Sequence, residues 1–408
     1  MKPPTRLLFV AATSALLASA QVGAQQGSVI DAMDAVTFTA PEGKAAVELV
    51  EGREGKALQF TFPKGTPSVF AIGRARGKPE WDAAAGFSFW AKGDGSPQLA
   101  GLQFVWGEDY GLRYDFAFRL EGTDWRKVVV PWRDLIPVLP APGARTIDPE
   151  KWQRPSKLGQ LWFGRWWYWR EYPPLKFAID DLRLEPSIAP DIRDLKPKGA
   201  PLARVRAKLQ KGEPVTVVTM GDSLTDTAHW ANRKVNWPSL LEAKLRAAHK
   251  SAITLVNPAI GGTQLRQNVV LIPRWAATTP QPDLVTICFG YNDWEAGMRG
   301  ELFFEAQKDA VERVRRATNG AADVLIMTTV PALEKWTTMA ELAEACRRAA
   351  RETNAGLADL EAAYYRAGAQ EQSRAALYVD DKTHAGPAGH ELIADTIFRE
   401  IERAGAAK

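Results

Sequence analysis

The sequence predicts two folds in tandem: an antiparallel β-sandwich, then an α/β domain whose parallel sheet lies between two layers of helices. Three observations carry that expectation. Before residue 186, apolar residues recur with period two in short runs. After residue 214, continuous apolar runs alternate with segments of helical period. A proline-rich stretch separates the two regions, and 408 residues are ample for two cores.

At the start, Lys2 and Arg6 precede the apolar stretch Leu7–Ala20, which is too short for a comfortable membrane span. Small residues at Ala18-Ser19-Ala20 and Val22-Gly23-Ala24 offer cleavage sites, so residues 1–24 read as an export signal. The protein is therefore expected to be secreted or periplasmic. No cysteine follows the stretch to carry a lipid at that site, and no later segment is expected to insert in a membrane. The sandwich is expected over residues 28–187. There Leu58, Phe60, Phe62, then Leu102, Phe104, Trp106, then Tyr114, Phe116, Phe118, Leu120 alternate between Gly, Pro and Asp turns. Pro186, Pro190, Pro197, Pro201 and Pro214 mark residues 188–213 as a linker that ends in a short helical piece. The α/β domain takes residues 214–408. Its strand runs fall at 215–220, 252–257, 283–289, 323–330 and about 356–360. Met339, Leu342, Cys346 and Ala349 share one helical face, as do Ile393, Ile397 and Ile401.

Composition narrows the chemistry. The formal charge of +4 falls to about +2 once Lys2 and Arg6 leave with the signal, and the basic residues are interspersed with acids. Nucleic acid and anionic membrane are thus not expected partners. Cys288 and Cys346 each sit in an apolar run and read as packing residues, with a disulfide between them left open. With four histidines, no His-Glu-x-x-His and no phosphate-cradling glycine loop, neither metal nor other cofactor is expected.

Chemistry concentrates at the strand ends. Gly221-Asp222-Ser223-Leu224-Thr225 follows the first parallel strand, where a helix is expected to begin. Asn257-Pro258-Ala259-Ile260-Gly261-Gly262-Thr263 follows the second strand, and Gly290-Tyr291-Asn292-Asp293 the third. Asp381-Lys382-Thr383-His384 precedes the closing helix. In open parallel sheets, sites lie beyond the carboxyl ends of the strands, so four polar loops converge on one rim. Singly these residues have plain uses: Ser223 as a helix cap, Asn292 in a turn, Asp293 as a cap, His384 as a solvated histidine. Asp222 is read as structural, and His390 as a plain surface or packing histidine. Jointly they suit acyl transfer. His384 can take the Ser223 proton while Asp381 orients the imidazole. The N–H groups of Ser223 and Gly262 and the Asn292 amide can hold the resulting oxyanion. No Gly-x-Ser-x-Gly elbow surrounds Ser223, which disfavours an ordinary α/β-hydrolase.

In this order the four blocks resemble the SGNH (GDSL-type) hydrolases, over residues about 215 to 404. The resemblance implies a flavodoxin-like α/β/α fold and esterase or lipase activity. It implies Ser223 as nucleophile, Gly262 and Asn292 as oxyanion donors, and Asp381 and His384 as the remaining triad. Ala259 stands where the family often has glycine. Tyr291 sets a bulky ring beside the presumed hole, which would favour acetyl over long-chain esters.

Ten of the fifteen tryptophans fall in the first region, and the run Trp162–Trp169 is hard to bury. Neighbouring rings on a strand face opposite sides, so one set is expected to leave the core. Trp166, Trp167 and Trp169, with Tyr291, are the expected substrate contacts. The segments Trp125–Trp132 and Phe177–Leu184 resemble jelly-roll carbohydrate-binding modules of the galactose-binding-like type. Such a domain either binds glycan itself or packs on the hydrolase and shapes its cleft. The expected function is removal of acyl groups, acetyl foremost, from oligo- or polysaccharide through an acyl-enzyme. The alternatives are a lipid or aryl esterase of the same fold, or a glycan-binding protein with an inactive hydrolase domain.

Overall fold

A computed structural model describes residues 27–106, 113–138 and 155–404. The expected export signal and Trp152 lie outside the described residues. The first twelve strands are β1 (Val29–Asp31), β2 (Phe38–Thr39), β3 (Ala46–Glu51), β4 (Lys56–Phe62), β5 (Val69–Arg74), β6 (Gly86–Lys92), β7 (Leu99–Trp106), β8 (Arg113–Arg119), β9 (Arg126–Pro131), β10 (Ile136–Pro137), β11 (Leu158–Arg165) and β12 (Leu175–Glu185). They form two antiparallel sheets. One runs β3-β4-β12-β6-β9 with β1 also on β12; the other runs β10-β8-β7-β11-β5-β2.

Period-two alternation puts Phe60, Phe62, Phe89, Phe118, Phe163 and Phe177 between the sheets, all buried. Their rings meet edge-on or offset, as with Phe89 and Phe118 at 5.1 Å between centroids, the arrangement that the ring quadrupole favours. Strand β7 departs from alternation because it is buried along its whole length. Its outward face is covered by the chain's own turn after β11. Trp166 lies flat on Gly101, where a β-carbon would come within 2.1 Å of the indole.

The short helix expected at the end of the linker is α1 (Ala203–Gln210). The second domain then forms a parallel sheet from β13 (Val215–Gly221), β14 (Ile253–Val256), β15 (Leu284–Cys288), β16 (Asp323–Met327) and β17 (Gly356–Ala358), in the order β14-β13-β15-β16-β17. Its helices are α2 (Trp237–His249), α3 (Leu265–Val270), α4 (Ile272–Thr278), α5 (Tyr291–Glu295), α6 (Gly300–Ala317), α7 (Ala340–Thr353), α8 (Leu360–Ala367), α9 (Glu371–Ala375) and α10 (Pro387–Arg403). Successive strand residues feed opposite faces. Val218, Met220, Val285, Ile287, Val324 and Ile326 pack toward α3, α4, α6 and α7. Val215, Val217, Leu284, Leu325 and Met327 pack toward α1, α2, α8 and α10. A strand buried on both sides must be apolar throughout, which is why these runs read as continuous.

Cys288 and Cys346 are free, buried and placed in different clusters. The sandwich core and the α6–α7 face belong to one continuous apolar cluster, so the two domains share a packed boundary. Polar contacts close its edge: Arg313 Nη2 donates to the Arg133 carbonyl at 2.7 Å, and Arg316 Nη1 pairs with Asp134 Oδ1 at 2.9 Å.

Candidate active site

The expectation of a helix directly after β13 is not met. Residues 222–225 make one turn, with the N–H groups of Thr225 and Asp226 donating to the Asp222 carbonyl at 3.0 and 2.9 Å. Side chains take the carbonyls that a second turn would need. Asn232 Nδ2 donates to Ser223 O at 2.6 Å and Asp226 O at 2.8 Å, and Asn257 Nδ2 donates to Thr225 O at 2.9 Å. Ser223 therefore caps no α-helix; it sits on a turn pinned from three sides.

His384 Nε2 lies 2.8 Å from Ser223 Oγ, and His384 Nδ1 lies 2.5 Å from Asp381 Oδ2. The other Asp381 oxygen accepts the N–H groups of Thr383 at 3.0 Å and His384 at 2.9 Å. Lys382 takes the left-handed conformation (φ +62°) that lets the loop fold back on the carboxylate. Burial raises the Asp381 pKa, but the backbone and imidazole hydrogen bonds outweigh it and hold the carboxyl below the usual carboxylate range.

Ser223, Gly262 and Asn292 line one cleft of about 190 Å³ together with His384 and Tyr291. Neither the Ser223 nor the Gly262 N–H has a hydrogen-bond partner among the described residues. Two free N–H groups in one cleft can receive an anion. Gly262 has φ +78°, a backbone conformation that a side chain would strain. Asn292 stands in the first turn of the short helix α5 rather than in a loop. Its Nδ2 donates to Thr263 O at 3.1 Å and reaches Asp222 Oδ2 at 3.4 Å. Burial pushes the Asp222 carboxyl up to about 6 and that of Asp293 up to about 7. Both are loop anchors: Asp222 Oδ1 accepts Leu224 N–H, and Asp293 Oδ1 accepts Leu265 N–H, each at 3.0 Å.

Two of the expected substrate contacts need correction. Trp166 and Trp169 are only 5% and 4% exposed and offer no face to a ligand. The chain leaves the extended conformation at Arg165, and Trp167–Trp169 forms a 3-10 turn, so strand alternation no longer sorts the rings. That turn folds Trp166, Tyr168 and Trp169 onto the outer sheet face. Trp167 alone of the four points outward, 45% exposed. Tyr291 lines the cleft, with Lys335 Nζ 4.8 Å from its ring centre.

Other residues at the site escaped the sequence reading. His229 stacks on the His384 ring at 4.5 Å between centroids, and Trp230 meets it edge-on at 5.7 Å. Burial, then the neighbouring His384, hold the His229 pKa below its ordinary value. His390, read from sequence as a plain surface or packing histidine, is buried in a network: its Nε2 lies 3.1 Å from Asn232 Oδ1, and its Nδ1 accepts the Trp237 N–H at 3.3 Å. Asn232 in turn holds the Ser223 carbonyl, so His390 supports the Ser223 turn.

Burial, with His384 nearby, lowers the His390 pKa to about 4. In the unfolded chain the group titrates near ~6.5. The unfolded state then binds more protons between these values. Stability present above ~6.5 is lost as pH falls toward the folded value, at up to ~1.4 kcal/mol per pH unit. His390→Leu is expected to melt lower at pH 7, because Asn232 and Trp237 lose a partner. Its melting temperature should nonetheless fall less steeply than the wild type's from pH 7 to pH 5. Parallel slopes in differential scanning fluorimetry would overturn this.

Residues 219–392 match the model of the GDSL-like lipase/acylhydrolase family. No curated protein matches the chain. Among solved structures, the lipase/acylhydrolase from Enterococcus faecalis is 20% identical, covering 48% of this chain and 99% of its own, at a TM-score of 0.39. An acetyl xylan esterase from Geobacillus stearothermophilus is 21% identical over 47% of this chain and 96% of its own, at 0.37. The family 11 carbohydrate-binding module from Clostridium thermocellum is 15% identical over 38% of this chain and 94% of its own, at 0.33.

Proposed function

We propose that the protein is an exported serine esterase that removes acetyl groups from carbohydrate, a reading that starts from the match of residues 219–392 to the GDSL-like lipase/acylhydrolase family. The observation that carries the reading is the hydrogen-bonded chain Ser223–His384–Asp381 opening on two free N–H groups. Ser223 Oγ gives its proton to His384 Nε2 and attacks the ester carbonyl. The tetrahedral oxyanion is held by the N–H groups of Ser223 and Gly262 and by the Asn292 amide, which swings from the Thr263 carbonyl. Asp381 stabilises the imidazolium without taking its proton. Collapse breaks the bond to the sugar oxygen, which leaves with the proton from His384. Water, deprotonated by the same imidazole, then releases acetate and restores Ser223.

The cleft supports a short acyl group. Its volume of about 190 Å³ is below the ~300–1,000 Å³ of most ligand pockets. Leu224, Tyr291 and Val330 are the large nonpolar side chains that line it, too few to bed a long chain. The export reading rests on Lys2, Arg6 and the apolar Leu7–Ala20; a mature protein starting after Ala20 or Ala24 is its check.

The test is acetate release from acetylated xylan, pectin and xyloglucan, set against hydrolysis of octanoyl esters. At least one polysaccharide should yield acetate, and acetyl esters should turn over faster than octanoyl ones. Faster octanoyl hydrolysis with no release from any glycan would replace this reading by a lipid esterase.

A further inference from the structure

Among the described residues, tryptophan is exposed at two positions only, Trp167 at 45% and Trp230 at 57%. They come from different domains, yet each adjoins a residue that lines the same cleft, His384 for Trp230 and Gly262 for Trp167. Trp230 meets the His384 ring edge-on at 5.7 Å. At Trp167, a β-carbon on Gly262 would lie 3.9 Å from Cη2 of the indole. The two exposed tryptophans of the described residues thus stand beside Gly262 and His384. Burial is the ordinary fate of tryptophan, and every other described tryptophan here is buried or half-buried, so two exposed rings at one rim call for a binding role.

Trp167 is held rigidly where it stands. Its neighbour Tyr168 is buried, with its hydroxyl donating to Asp115 Oδ2 at 2.6 Å. The Trp167 carbonyl accepts the Tyr172 hydroxyl, and Arg274 Nη1 donates to the Trp169 carbonyl at 2.7 Å. Arg170, in the left-handed conformation (φ +65°), crosses to the hydrolase domain. Its Nη1 donates to Ala259 O at 3.0 Å, and its Nη2 pairs with Asp226 Oδ1 at 3.2 Å. The second Asp226 oxygen accepts the Gly261 N–H at 3.1 Å, one residue before Gly262. The turn that carries Trp167 is therefore fastened to the loop that carries Gly262. Behind it, Trp166, Tyr168 and Trp169 are buried against the outer face of the sheet.

We propose that Trp167 and Trp230 are two sugar platforms of one catalytic cleft, so that the sandwich domain supplies part of the active site rather than a separate glycan-binding module. The inference rests on the carbohydrate esterase reading above. An indole face carries the negative side of the ring quadrupole, and a pyranose presents a face of weakly positive C–H groups to it. In a sugar ester the ring is attached through the ester oxygen itself. Once the carbonyl sits against Gly262, the pyranose lies within reach of these rings, and a neighbouring sugar unit of an oligosaccharide can occupy the second.

The test compares full-length wild type, Trp167→Ala, Trp230→Ala and Trp167→Phe on acetylated xylo-oligosaccharides and on 4-nitrophenyl acetate. For each alanine variant, the ratio of kcat/KM on the oligosaccharide to that on the aryl ester should fall at least tenfold, mainly through KM. Trp167→Phe should recover most of the ratio. If wild type deacetylates the oligosaccharide and the ratio is unchanged in both alanine variants, the platforms are refuted and the esterase reading stands. If wild type cleaves the aryl ester but releases no acetate from the oligosaccharide, from xylan, from pectin or from xyloglucan, both fail.

Discussion

Ser223→Ala is expected to lower kcat for acetyl-ester hydrolysis by about 10⁵–10⁶-fold and to leave the fold intact. Alanine removes the only atom that can form the acyl-enzyme, and His384 then has no proton to accept. What remains is water attack on a carbonyl still polarised by the oxyanion donors, a residue of catalysis worth roughly 10³-fold over solution. The structural cost is small. The Ser223 hydroxyl makes one hydrogen bond among the described residues, to His384, and its loss is worth about 1 kcal/mol. The turn itself is held through backbone groups by Asn232, Asn257 and Asp222, none of which touches the hydroxyl. Acetate release and the melting temperature therefore separate cleanly. A variant that keeps more than about one per cent of wild-type kcat would reject Ser223 as the nucleophile.

The C-terminal fold and the gathering of the four loops were legible because local pattern and tertiary position coincide there. A strand buried on both faces has to be apolar throughout, and β13, β15 and β16 announce themselves that way. The loops after β13, β14 and β15 emerge on one rim, which brings Ser223, Gly262 and Asn292 to a common cleft that His384 joins from the loop between α9 and α10. Contacts set by docking were not legible. Trp166 and Trp169 read as outward because strand alternation was carried past Arg165, where the backbone turns instead. Nothing in the spacing of Asn232 and His390 shows that they meet at 3.1 Å behind the nucleophile, since their bond depends on how α10 packs against the loop before α2. The full burial of β7 likewise depends on what covers its outer face. The amide-saturated turn after Ser223 was missed for the same reason: Asn232, further along the same loop, and Asn257, from the loop after β14, take its carbonyls through contacts that only the folded chain makes.

Asp381→Asn is expected to lower kcat by about 10⁴-fold with little change in KM or stability. The reason lies in the two backbone donors on Asp381 Oδ1, the N–H groups of Thr383 and His384. An asparagine must turn its oxygen toward them, because the reverse orientation would set its NH₂ against two N–H groups. The NH₂ then faces His384 Nδ1, where the carboxylate oxygen had stood at 2.5 Å. A donor at that position makes Nδ1 an acceptor and moves the imidazole proton to Nε2. The proton now points at Ser223 Oγ, so the imidazole can no longer take the serine's own. The loop keeps both of its backbone anchors, which is why stability is spared. Asp381→Ala is the informative control: it loses the orienting group and the anchors together, so its melting temperature falls along with its rate. If Asp381→Asn instead retained kcat within tenfold of wild type, tautomer control by Asp381 would be wrong.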